Sequence, residues 1–240
     1  MNTKTSSSVI LVPGHWLGGW AWDDVAELLS RAGQSPVAVT LTGLDAPETR
    51  RDAIRLADHV GSLVAAIRSS ASPVVLVAHS GAGALATAAL DQVPGMVRRV
   101  VYVDSGPVAD GAVARPDLDP STVEVPLPTW EQLEAGGASL TGLSEGMLRR
   151  FRARAVPHPA GPLREPITAR DPARNQVPAT IVCCSIPSAA VRPMAASGAG
   201  MFAPLADLAD VGYVDLPTGH WPMWSAPRTL AEVIMDAADD

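Results

Sequence analysis

Ser80 lies in the seven-residue run Val77-Ala78-His79-Ser80-Gly81-Ala82-Gly83, directly after the apolar stretch Pro73 to Val77 and before the alanine-rich stretch Ala84 to Leu90. A serine on a sharp strand-to-helix turn holds its hydroxyl clear of a sheet, with the first amides of the helix aimed at whatever it attacks. Ala78 and Ala82 stand two places before and after it, and Gly81 and Gly83 add backbone freedom, so the chain can make such a turn. The chemistry would be nucleophilic attack on a carbonyl. Taken alone, these residues suit a plain tight turn or a helix N-cap equally well. A nucleophilic serine also needs a base. Of His15, His59, His79, His158 and His220, the last is favoured: it follows the final expected strand in Leu216-Pro217-Thr218-Gly219-His220-Trp221, at the same sheet edge as Ser80. His59 falls in an amphipathic stretch and is expected at the surface or half-buried. His158 lies among prolines, and His79 is expected to pack or hydrogen-bond beneath the turn.

The elements that must position these groups follow from the pattern of apolar runs. Val9 to Val12, Ser35 to Thr40, Val74 to Ala78, Val100 to Val103, Ala179 to Cys184 and Gly212 to Leu216 read as strands. Between them, Trp22 to Ala32, Ile54 to Ser69, Ala82 to Gln92 and Pro227 to Ala238 read as helices. The alternation predicts an α/β fold, a mostly parallel sheet with helices on both faces and right-handed crossovers. The interval of about 107–177 breaks the rhythm, with dense prolines, no convincing strand, and amphipathic pieces at Thr129 to Ala135 and Ser144 to Ala155. A structureless loop of that length is improbable inside a compact domain, so a helical cap over the carboxyl edge of the sheet is expected, within one domain spanning 1–240.

Composition narrows the class. A chain of 240 residues, 47% hydrophobic and 18% charged, suffices for one substantial core. With 18 basic against 25 acidic residues the formal charge is −7, and Lys4 is the sole lysine, which argues against nucleic acid or an anionic membrane as partner. Arg149, Arg150, Arg152 and Arg154 are read as a solvated helix face. Cys183 and Cys184 are adjacent on a strand and point to opposite faces, so they read as small buried residues of a reduced protein. The polar start shows no signal-peptide pattern and no apolar run approaches membrane-spanning length, so a cytoplasmic protein is expected.

Three segments, in order, carry a family resemblance: Leu11-Val12-Pro13-Gly14-His15-Trp16-Leu17-Gly18-Gly19-Trp20-Ala21-Trp22, Ala78-His79-Ser80-Gly81-Ala82, and Gly219-His220 with Pro222-Met223 and Pro227. They are similar to the oxyanion loop, nucleophile elbow and histidine loop of the α/β-hydrolase superfamily, in particular its small-lid esterases, plant methylesterases and hydroxynitrile lyases. The resemblance implies oxyanion donors at the amides of Gly81 and His15. It also implies a triad acid after the strand ending at Cys184, but Ser185 to Arg192 contains no carboxylate. Some α/β-hydrolases, notably haloalkane dehalogenases, place the acid one strand earlier, where this chain has Asp104. Asp104 is therefore expected to orient His220, the alternatives being a strand-end cap role for it and orientation of His220 by Ser185 or a water.

With Ser80, His220 and Asp104 as triad, the expected chemistry is acyl transfer on a carboxylic ester or lactone with an apolar portion. Neither a metal nor an organic cofactor is expected. Trp16, Trp130, Met147, Phe151 and Trp221 are the expected substrate-binding residues, each of which also suits plain core packing. A hydroxynitrile-lyase-type reaction is disfavoured because such lyases add a lysine near the site and Lys4 is remote. A ligand-binding or signalling homologue with little turnover stays open, as does a homodimer.

Overall fold

The computed structural model describes residues 7–70, 73–198 and 200–239. Lys4 lies outside them. In chain order the elements are β1 (Ser8–Val12), α1 (Asp23–Arg31), β2 (Ser35–Ala38), α2 (Leu56–Arg68), β3 (Val74–His79), α3 (Ala82–Gln92) and β4 (Val97–Val103). Next come β5 (Glu124–Val125), α4 (Trp130–Ala135), α5 (Glu145–Arg154), β6 (His158–Pro159) and α6 (Ala160–Arg164). The chain closes with β7 (Ala179–Cys183), α7 (Ser188–Ala196), β8 (Val211–Asp215), α8 (Pro222–Ser225) and α9 (Pro227–Asp239).

Six strands form one sheet in the order β2-β1-β3-β4-β7-β8, every neighbouring pair parallel. All six residues of β3 are buried, as a strand covered on both faces requires, and this is why it reads as a continuous apolar run. One face packs on α2, α3 and α7 through residues such as Leu63, Ile67 and Val191, and the other on α1 and α9 through Val25, Leu29 and Ile234. The register pairs Val12 with Ala78, His79 with Val103 and Val103 with Val182, so the carboxyl ends of four strands lie level. The chain leaves β1 toward β2 and then crosses to β3 on β1's other side. That switch opens a crevice at the carboxyl edge between β1 and β3, where open α/β sheets bind ligands.

The interval 107–177 differs from expectation in detail. It carries the two helices foreseen, and also α6 and a two-residue antiparallel ladder in which Val125 pairs with His158. So short a ladder leaves no alternation to read. The arginines of α5 are also not simply solvated. Arg150 and Arg154 bond Asp23 of α1 at 3.0 and 3.4 Å, Arg154 lies 4.5 Å over the Trp20 ring, and Arg152 lies 4.0 Å over Trp130. Buried Arg51 donates to the carbonyls of Gly43, Ala46, Pro47 and Thr49 and reaches Glu124 of β5 at 3.2 Å, which ties the loop after β2 to the ladder. Among the described residues no helix is long and apolar enough to cross a membrane.

Candidate active site

Ser80 follows β3 directly and turns the chain into α3 with φ +53, a conformation that costs a non-glycine residue about 1–3 kcal/mol. The turn is held from three sides: the Ser80 N–H donates to Val103 O at 3.1 Å, while Gly83 N–H (3.0 Å) and the Ser105 hydroxyl (2.5 Å) donate to Ser80 O. Its Oγ is 2.8 Å from His220 Nε2, and His220 Nδ1 is 2.6 Å from Asp104 Oδ2. The structure thus brings Ser80, His220 and Asp104 together from the ends of β3, β8 and β4.

The partners of Asp104 explain its charge. Its Oδ1 accepts from the Ser185 N–H at 2.9 Å and the Cys184 N–H at 3.2 Å, and its Oδ2 from the Ser185 hydroxyl at 2.7 Å. Burial by itself would raise this carboxyl. The hydrogen bonds from His220 and Ser185 outweigh that and hold it at about 2. The position after β7 thus carries, in Ser185, a donor to the carboxylate of the preceding strand. His220 is anchored through its backbone: His79 Nε2–H donates to His220 O at 2.7 Å, and the His220 N–H donates to Ser139 O at 2.7 Å. Gly219 is a glycine because a side chain there would run into the carbonyls of Ser139 and Thr141. His79 itself is kept neutral by burial, pushed down to about 3.

The loop after β1 supplies His15 and Trp16. Among the described residues neither the His15 N–H nor the Gly81 N–H has a hydrogen-bond partner. The His15 ring lies against Gly81, where any side chain would overlap it. Burial, then electrostatic coupling to His59, His220 and Arg115, lowers His15 to about 4. Trp16 holds φ +66 and bonds outward through its ring N–H to Val125 O at 3.0 Å. Among the described residues only Trp16, Ser80 and Asp104 combine a side chain with positive φ, so the local strain gathers at this edge.

A cavity of about 860 Å³ opens over Ser80. Trp16 and Trp221 line it, with Leu133, Ile186 and Phe202 among its apolar walls. Trp130, Met147 and Phe151 do not. Phe151 is wholly buried with ring centroids 5.4, 5.2 and 4.9 Å from Trp130, Trp221 and Trp224. Trp130 and Met147 pack on the same cluster, so these three join the 107–177 interval to the body. One histidine is placed otherwise than expected: His59 is buried, donating through Nε2 to Thr42 O at 2.9 Å, while His158, within the 107–177 interval, is buried at the cavity wall. Their sequence neighbourhoods carry no sign of this, because the ring contacts are made across distant segments. Among the described residues no group of three His, Cys, Asp or Glu side chains could hold a metal ion.

The family model described as Alpha/beta hydrolase family matches residues 9–233. The chain is 30% identical to a carbendazim hydrolyzing esterase of Nocardioides sp. (strain SG-4G) over 101 residues, 41% of this chain and 42% of that protein. It is 35% identical to methylesterase 7 of Arabidopsis thaliana over 107 residues, 43% of this chain and 41% of that protein. The alignments therefore span less than half the length of these relatives. A solved extracellular alpha/beta-hydrolase from a Paenibacillus species, described as sharing structural and functional homology with tobacco salicylic acid binding protein 2, superposes with TM-score 0.76 at 19% identity, covering 98% of this chain and all of that one.

Proposed function

The chain belongs to the alpha/beta hydrolase family, and on that footing we propose that it hydrolyses carboxylic esters or lactones with an apolar portion through an acyl-enzyme on Ser80. The observation that carries this reading is the unbroken relay Ser80 Oγ to His220 Nε2 (2.8 Å) and His220 Nδ1 to Asp104 Oδ2 (2.6 Å). Esterases among the relatives support ester hydrolysis in general.

In this mechanism His220 takes the Ser80 proton as Oγ attacks the ester carbonyl. The amides of Gly81 and His15 donate to the developing oxyanion, and Asp104 stabilises the imidazolium without taking its proton. His220 then passes the proton to the leaving alkoxide, and the alcohol departs. Water, deprotonated by His220, attacks the acyl-enzyme, and return of the proton to Oγ frees the acid and Ser80. The interval 107–177 serves as the cap, since it holds the His220 loop through Ser139 and Thr141 and supplies part of the cavity wall.

A p-nitrophenyl ester panel tests this. The wild type is expected to give a stoichiometric burst that Ser80→Ala abolishes, and turnover should fall at least about 10³-fold in Ser80→Ala and His220→Ala and about 10²–10⁴-fold in Asp104→Asn. Undiminished turnover in Ser80→Ala would refute the acyl-enzyme, and near-full activity in Asp104→Asn would remove Asp104 from the triad.

A further inference from the structure

Leading away from the oxyanion donors, the cavity wall is built of imidazoles. The His15 ring lies on Gly81, the His158 ring lies 4.7 Å from it centroid to centroid, and the His59 ring lies 5.5 Å beyond His158. All three line the cavity, and they come from the loop after β1, from β6 and from α2. His59 and His158 are 1% and 3% exposed. Burial keeps both neutral, so each ring carries one hydrogen whose place its protein partner decides. His158 Nδ1 accepts from the Trp16 N–H at 3.4 Å, which leaves its hydrogen on Nε2. His59 Nε2 faces Thr42 O at 2.9 Å and must donate, which leaves Nδ1 a bare lone pair. Among the described residues neither the His158 Nε2–H nor the His59 Nδ1 has a hydrogen-bond partner.

Two unpartnered polar atoms of opposite sense, on neighbouring rings that line one cavity, call for a ligand group that both donates and accepts. We propose that His158 and His59 form a subsite for a neutral hydroxyl group on the ester substrate, with His158 Nε2–H donating to the hydroxyl oxygen and His59 Nδ1 accepting the hydroxyl hydrogen. This rests on the esterase reading above. The charged groups of the wall select against other occupants. Arg115 is paired with Asp117 at 3.1 Å and Glu165 with Arg55 at 2.5 Å, so neither is free to neutralise a charged ligand. A carboxylate would meet the His59 lone pair, an ammonium would meet the His158 N–H, and an apolar group would leave both rings unpaired.

The test uses methyl phenylacetate and its ortho-, meta- and para-hydroxy derivatives, with turnover measured on the wild type and equilibrium binding on Ser80→Ala. At least one hydroxy isomer is expected to show KM and Kd about tenfold or more below those of the parent ester. His158→Phe should shrink that preference to within about twofold, and His158→Gln, which restores an N–H near the place of Nε2, should recover it. A preference that survives in His158→Phe, or equal binding of all four esters to Ser80→Ala, would overturn the subsite. Turnover without hydroxyl selectivity refutes the subsite alone. Hydroxyl-selective binding to Ser80→Ala with no turnover by the wild type refutes the esterase reading and leaves the subsite standing.

Discussion

At the scale of single residues, on the proposed mechanism, Ser185 decides how well Asp104 serves His220. Its hydroxyl and N–H both donate to the carboxylate, at 2.7 and 2.9 Å, so it fixes the angle of the group that His220 Nδ1 must meet. Ser185→Ala is expected to lower kcat about tenfold with KM little changed, and Ser185→Thr, which keeps the hydroxyl, to restore most of it; steady-state kinetics on a p-nitrophenyl ester read both. An unchanged kcat in Ser185→Ala would show that backbone donors suffice. Ser80, Gly81 and His220 were legible in the sequence because each sits in a local turn whose composition answers a local steric demand. Asp104 was legible as the carboxylate at the end of a strand. The double bond pattern from Ser185 was not, since it arises from the side-by-side placement of β4 and β7.

Among elements, α5 fastens the 107–177 interval to the body by two unequal means. The Arg150 and Arg154 pairs with Asp23 involve side chains 40–53% exposed, and solvent and salt weaken such pairs. Phe151, by contrast, is wholly buried among three tryptophans. Phe151→Ala is therefore expected to destabilise the fold by about 3–5 kcal/mol, and the double change Arg150→Ala with Arg154→Ala by about 1 kcal/mol or less. Urea unfolding compares the two, and a larger loss from the arginines would invert the ranking. The inner strands β1, β3, β4 and β7 were legible because parallel strands covered on both faces are largely apolar runs. The helix pieces α4 and α5 were legible from their amphipathic spacing. The ladder β5 with β6, the helix α6 and the inward role of Phe151 were not, because two-residue strands have no period and an aromatic residue looks the same in a sequence whether it faces a cavity or a seam.

For the molecule as a whole, the buried histidines set the response to acid. Burial lowers His15 to about 4 and His79 to about 3, and it lowers His59 and His158 as well. The unfolded chain takes up these protons near the ordinary value of 6.5, while the folded chain does not until the pH is far lower. Between those limits the unfolded state binds more protons, so stability is full above about pH 6.5 and declines as the pH falls, by up to about 1.4 kcal/mol per pH unit for each group. Asp104 adds a second loss of the same sign, its contribution present above its ordinary value of 3.8 and gone as the pH falls through about 2. The urea midpoint is expected to drop already between pH 7 and 5, ahead of the carboxylates, and His158→Gln should flatten part of that drop. A level profile over this range would contradict it. The gathering of His15, His59 and His158 was beyond reach of the sequence, since the three meet only when the sheet, α2 and the β5–β6 ladder are assembled.

Trp16, Ser80 and Asp104 hold backbone angles that glycine would accept without penalty. A laboratory selection for heat tolerance alone would be drawn to Ser80→Gly, which relieves that strain, whereas at Trp16 and Asp104 the loss of side-chain hydrogen bonds offsets the gain. On the proposed mechanism, the survivors of such a selection would be robust proteins that no longer turn over an ester. Thermal engineering of this chain therefore has to be run under simultaneous selection for activity, with Ser80 held constant.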